Sequence, residues 1–251
     1  MKSIVLALGL FGAWSAAQAD SIVFSTDFDG AMPAEIMAGT ASLTGVQGYA
    51  GYGVAGNQFG GNFLRSMTAN VVTLTLNDLP DHSTISLAFL FAAIDSLDGT
   101  GTFPSGDYFR IELDGVQIFR ESFANAMESQ IQSYLPPAGV QLARRVDLGF
   151  SGPGSFYTDS AYDLGADPVF SNIAHTGSTA TFKFVIEGEG IQNLDDESWA
   201  MDNLRVSVNA VPAPATAWLF LPGLAGMIRF ARTRKPAPGG EHPGCGRTRA
   251  S

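Results

Sequence analysis

The chain has 251 residues and a net charge of −10 at pH 7, with 45% hydrophobic and 15% charged residues. Its basic residues gather at the two ends: between residues 20 and 210, 7 of the 14 face 23 acidic residues, a net charge near −16. Such a body repels nucleic acid and other polyanions unless cations intervene, and a lone cysteine, Cys245, excludes an intrachain disulfide.

Taken in chain order, Lys2, the apolar stretch Ile4 to Trp14 and the Ala17-Gln18-Ala19 exit before Asp20 have the order of a secretory signal peptide. Residues 1–19 are therefore expected to form a signal helix that is removed on export. Residues 20–210 suffice for one domain with a sizeable core. IVFSTDF (22–28) opens it as a strand. Residues 39–63 hold eight glycines interleaved with Tyr49, Tyr52, Phe59 and Phe63. That segment reads either as short edge strands joined by glycine turns or as an aromatic platform for sugar rings, with Tyr49 and Tyr52 as the contacts.

Period-2 alternation follows: Val72, Leu74 and Leu76; Ile85, Leu87, Phe89 and Phe91; Phe109, Ile111 and Leu113; Phe182, Phe184 and Ile186. Asp114-Gly115 separates YFRIEL from VQIF and signals a hairpin. A 3.6-residue period can be read only over Glu121 to Leu135. VDLGF (146–150) and NLRVSV (203–208) bring the count to about eight strands or more. The expected fold is all-β: a two-sheet antiparallel sandwich of the jelly-roll kind, flanked by the signal helix and a hydrophobic C-terminal helix.

Acidic residues cluster in TDFDG (Asp27, Asp29), in AIDSLDG (Asp95, Asp98) followed by Asp107, and in LDDESWAMDN (Asp195, Asp196, Glu197, Asp202). Calcium takes six to eight oxygens from such groups, so a structural Ca2+ is expected on Asp27, Asp29, Asp95, Asp98, Asp107 and Asp202. The first cluster borders the first strand and the last enters the final one, which can be neighbours in a sandwich. Trp199 and Met201 share one alternation phase and Leu204, Val206 and Val208 the other, which predicts a bulge at Asp202-Asn203. The spacing is not that of an EF-hand. TDFDG, AIDSLDG, GDYFRIELDGVQIF and DESWAMDNLRV resemble the jelly-roll bodies of bacterial surface proteins, and the ending is similar to that of calcium-assisted carbohydrate-binding and MAM sandwiches.

No G-x-S-x-G, H-E-x-x-H or P-loop pattern occurs, and His82 and His175 read as surface residues of turns. Glu187 and Glu189 in VIEGEG form the pair a sandwich glycoside hydrolase would use. The expectation is nevertheless a non-enzyme.

Near the end, VPAPATAWLFLPGLAGMIRFARTRK (211–235) places Val211, Pro212 and Pro214 before a 14-residue apolar run, 215–228, and then Arg229, Arg232, Arg234 and Lys235. A permanent span needs about 20 apolar residues, so the run suits a transient membrane stop with its basic end inside. This order resembles the PEP-CTERM sorting signal of exopolysaccharide-producing Gram-negative bacteria. Ala213 stands where that family usually has Glu, Pro222 interrupts the run, and an unstructured tail (236–251) continues past the usual end. The resemblance implies cleavage by an exosortase and delivery to the cell surface or extracellular matrix. An exported protein associating with extracellular polysaccharide is thus expected. The alternatives are a sandwich hydrolase and a structural coat protein that binds no glycan.

Overall fold

The computed structural model describes residues 20–100, 106–150 and 158–210. The signal segment 1–19, the sorting motif with Val211, Pro212, Pro214, Arg229, Arg232 and Arg234, the run 215–228 and the tail 236–251 lie outside these residues.

Among the described residues fifteen strands follow one another: β1 (Asp20–Thr26), β2 (Ile36–Met37), β3 (Ser42–Gly45), β4 (Gly53–Val54), β5 (Asn57–Gln58), β6 (Asn62–Met67), β7 (Val72–Leu76), β8 (His82–Asp95), β9 (Tyr108–Leu113), β10 (Val116–Ser122), β11 (Gln141–Val146), β12 (Asp159–Asp163), β13 (Ile173–Ala174), β14 (Ala180–Glu187) and β15 (Glu197–Ala210). They form an antiparallel sandwich. One sheet has the order β11-β12-β8-β15-β6-β3, with β1 added to β15 and β13 to β8; the other has the order β10-β9-β14-β7-β2; β4 and β5 make a separate hairpin. Among the described residues there is no α-helix, and no helix is long and apolar enough to cross a membrane.

Alternation explains the layering. Phe89, Phe91, Phe109, Phe184 and Trp199 project between the sheets and are at most 1% exposed. Phe109 stacks on Phe91 at 4.3 Å and meets Trp199 at 5.1 Å. Asp114 and Gly115 take φ values of 51° and 79° in the β9–β10 turn, as the D-G signal requires.

The two longest strands, β8 and β15, pair from Glu197 opposite Asp95 to Ala210 opposite His82. Their register shifts between Asp202, opposite Leu90, and Arg205, opposite Ala88. Asn203, at φ 51°, is the inserted residue. This is the expected bulge, and its effect is topological: Trp199 and Met201 before it and Leu204, Val206 and Val208 after it all enter one core. The free edge of β15 changes partner at the same point, from β6 at Ser198–Met201 to β1 at Leu204–Asn209.

A second, smaller core covers half of the eight-stranded sheet's outer face. Leu90, Ala92, Ile94 and Ala200 point outward there and are sealed by Val46, Tyr49, Phe59, Phe63, Leu148 and Phe150. This accounts for LFAAI in β8: a strand buried on both faces needs no polar alternation.

Two expectations fail. Glu121 to Leu135 forms no helix; Phe123 and Tyr134 turn into the main core 5.3 Å apart, and the Asn125 and Ala126 amides donate to the Leu97 carbonyl. In VDLGF only Val146 is strand, as the last residue of β11, and 147–150 are a loop: the Gly149 amide donates to Asp147 Oδ1, and the Gly48 amide donates to the Leu148 carbonyl at 2.7 Å. Leu148 and Phe150 are apolar because they close the second core.

Candidate functional site

The acidic residues separate into distinct groups. Asp98 lies just past β8, Asp107 immediately before β9, and Glu197 is the first residue of β15. These three strand ends belong to both sheets, and they place one carboxylate oxygen of each residue within 4.8 Å of the others. All three are buried: 6%, 2% and 0% exposed.

Backbone contacts lock the arrangement. The Asp98 amide donates to Asp107 Oδ2 at 2.6 Å, and the Asp107 amide donates to the Asp98 carbonyl at 3.1 Å. Gln130 donates its side-chain amide to Asp98 Oδ1. Gln192 donates both its backbone and side-chain N–H to Glu197, at 2.7 and 3.1 Å. Asp107 Oδ1 has no hydrogen-bond partner. A Cβ on Gly188 would lie 3.0 Å from that oxygen and 2.8 Å from the Gly106 carbonyl, so only glycine lets the β14 end pass.

Burial raises all three carboxyls above the usual range; Gln130 offsets part of the effect at Asp98, the Asp98 charge adds to it at Asp107, and the Asp107 charge adds to it at Glu197. A cation beside them would favour their anionic forms. The donor set is all oxygen, which suits calcium.

Asp95 does not join them. Its φ of 64° turns it at the end of β8, where its carboxylate lies 3.7 Å from Arg65 Nη2, in the same ion-pair network as Asp159. Burial and then the Asp159 charge push its carboxyl to about 7, against the opposing pull of Arg65.

Asp27, Asp29 and Asp202 form a separate group at the bulge. Asp202 lies five residues along β15 from Glu197, roughly 17 Å at about 3.4 Å per residue. The first and last acidic clusters thus meet as expected, away from Asp98 and Asp107. Asp202 accepts from the Gly60 amide at 3.1 Å and from the Asn203 amide at 2.6 Å, and Asp29 accepts from the Asn62 amide at 2.7 Å. Burial, reinforced by Asp29 and Asp27, raises the Asp202 carboxyl to about 7.

The expected sugar contacts are corrected. Tyr49 is fully buried in the second core, and its hydroxyl donates to the Ala93 carbonyl at 3.0 Å, so no sugar can stack on it. Tyr52 is half-buried against the same cluster. The histidines are not isolated turn residues either: His82 is buried, its Nε2 shares a hydrogen bond of 2.7 Å with His175 Nδ1, and His175 Nε2 lies 3.0 Å from Asp114. Glu187 is held by Arg110 and Arg120 at 2.9 Å each; burial raises its carboxyl, but the two guanidiniums outweigh that and keep it below the usual range. That favours the anion over a proton-donating acid.

Glu197 belonged to a recognised acidic run but not to the expected ligand set. Its phase was the available signal: it precedes Trp199 by two residues and so shares the core-facing side of β15.

No protein-family model matches the sequence, and no curated protein matches it. Among solved structures, the CBM22-1 xylan-binding domain from Paenibacillus barcinonensis Xyn10C is 10% identical, with a TM-score of 0.33 over 78% of this chain and 99% of that one. A Paenibacillus sp. cycloisomaltooligosaccharide glucanotransferase is 16% identical, with a TM-score of 0.30 over 66% of this chain and 17% of that one. A GH87 α-1,3-glucanase catalytic domain is 13% identical, with a TM-score of 0.31 over 79% and 30%. At such values the likeness identifies no family.

Proposed function

We propose that this chain is an exported, non-catalytic β-sandwich that associates with extracellular polysaccharide at the surface of a Gram-negative bacterium, with a calcium ion held by Asp98, Asp107 and Glu197. The observation that carries the reading is the convergence of these buried carboxylates, one oxygen unpartnered, at strand ends from both sheets. A cation there would tie the sheets together in a domain without a disulfide. The ends of the chain support export and sorting: a signal-peptide pattern at 1–19, and at 211–235 the order of a PEP-CTERM signal, which an exosortase would cleave after a transient membrane stop at 215–228.

Co-sedimentation of the purified protein with the producing organism's own polysaccharide, in calcium and in chelator, tests the function. Retention that weakens in chelator is the expected result. Absence of retention in both arms would leave the structural coat protein as the better reading.

A further inference from the structure

The bulge in β15 divides the outer face of the eight-stranded sheet into two halves of different character. On the Glu197 side the second core covers it. On the other side β1, β15 and β8 present Ser25, Ser207, Ser86 and Ala88, and two open cavities of about 430 and 280 Å³ lie over these small residues. The cavities share Asn57 and Arg205, so they adjoin. One wall is the β4–β5 hairpin; the other is the turn after β12, where a Cβ on Gly165 would come within 2.8 Å of the Ala88 methyl.

The polar groups here are only partly used by the fold. Asp163 is 6% exposed; its Oδ2 accepts from Asn57 Nδ2 at 3.2 Å, while its Oδ1, beneath the smaller cavity, has no partner. Arg205 is exposed and has no hydrogen bond or ion pair among the described residues. Other arginines of the body are engaged: Arg65 near Asp95, Arg110 and Arg120 on Glu187, and Arg145 on the Ala124 carbonyl. A free guanidinium beside a half-satisfied carboxylate offers donors and acceptors to one ligand.

We propose that this groove seats a segment of neutral, hydroxyl-rich polysaccharide, with Arg205, Asn57 and Asp163 as its polar contacts. The proposal rests on the polysaccharide reading above and gives it a surface. Vicinal hydroxyls both donate and accept, which matches planar amide, carboxylate and guanidinium groups set side by side. Asp27 and Asp163 in the lining outnumber Arg205, which disfavours a uronate. Small residues on the floor leave room for a sugar ring against the sheet, and two adjoining cavities have room for more than one ring.

Affinity electrophoresis of the purified protein in calcium, against a β-glucan, an α-glucan, a galactomannan and polygalacturonate, tests it. At least one neutral polymer is expected to retard the wild type. Arg205→Ala should weaken that retardation about tenfold, the loss of one charge-assisted hydrogen bond. Ser207→Trp should abolish it, and Arg120→Ala on the opposite sheet should leave it unchanged. Because Arg205 makes no hydrogen bond or ion pair among the described residues, its variant reports on binding even where Ser207→Trp misfolds. Retardation by a neutral polymer that Arg205→Ala leaves intact, or by polygalacturonate alone, would overturn the groove while leaving the polysaccharide reading in place. No retardation by any neutral polymer would overturn the groove as a neutral-glycan site, while the polysaccharide reading is decided separately by the co-sedimentation above.

Discussion

Calcium should stabilise the fold through Glu197, and the size of the effect can be worked from the site. Three buried carboxylates within 4.8 Å of one another repel without a cation, and Asp107 Oδ1 has a vacant lone-pair direction to fill. Extracellular calcium modules bind with dissociation constants of about 0.1 to 1 mM. At about 0.1 mM, 10 mM calcium is a roughly 100-fold excess and adds about 2.7 kcal/mol. For a domain of this size that raises the melting temperature by roughly 5 to 11 °C. Scanning calorimetry in 10 mM calcium and in EGTA measures it. Glu197→Gln supplies the internal control: the amide keeps an acceptor for Gln192 but removes one buried charge. The variant should melt no lower than wild type in EGTA and gain almost nothing from calcium. Equal melting of the wild type in both buffers would refute the reasoning, as would a variant that still gains the full shift.

Other outcomes follow from single residues. The Asp202 carboxyl titrates near 7 in the folded state and near 3.9 unfolded, so folding takes up a proton between these values. Its contribution is therefore fully present below about pH 4 and lost as pH rises toward 7. In chelator, urea midpoints at pH 5 and 7.5 should fall more for wild type than for Asp202→Asn, by up to about 1.4 kcal/mol per pH unit over the window; parallel pH profiles would contradict the burial argument. A Cβ on Gly48 would lie 2.6 Å from the Leu148 carbonyl oxygen, whereas one on Gly30 meets nothing within 4 Å. Gly48→Ala should cost about 1 to 3 kcal/mol in denaturant unfolding by prising the 148–150 loop from the second core. Gly30→Ala should stay within about 0.5 kcal/mol. Deleting residues 211–235 should release the body to the medium, read by immunoblot of cell and culture fractions; undiminished surface retention would count against sorting by that segment.

Much of the fold was legible in the residues. Strict alternation in β7 and β9 is a one-dimensional record of one buried and one more exposed face, and the Asp114-Gly115 pair is a local conformational demand. The β15 bulge was legible for the same reason: the apolar phase reverses between Met201 and Leu204, and only an inserted residue keeps both sides in one core. Burial on two faces erases that record. LFAAI in β8 and LGF at 148–150 are apolar because a second core covers the sheet, which no short window reveals. Tyr49 was misread on this account, since a glycine-rich aromatic segment looks the same folded over a sheet or spread on a surface.

The sequence alone determined that the body is all-β and strongly acidic, and which segments carry its carboxylates. Which carboxylates meet was decided only by tertiary structure. Asp98, Asp107 and Glu197 come together because ends of β8, β9 and β15 from different sheets coincide, while the β8 turn sends Asp95 to Arg65 and the bulge gathers Asp202 with Asp29. Alternation is set by neighbours along the chain, whereas a site of this kind is set by pairings between residues up to about 100 positions apart, chosen by the packing of the whole sandwich.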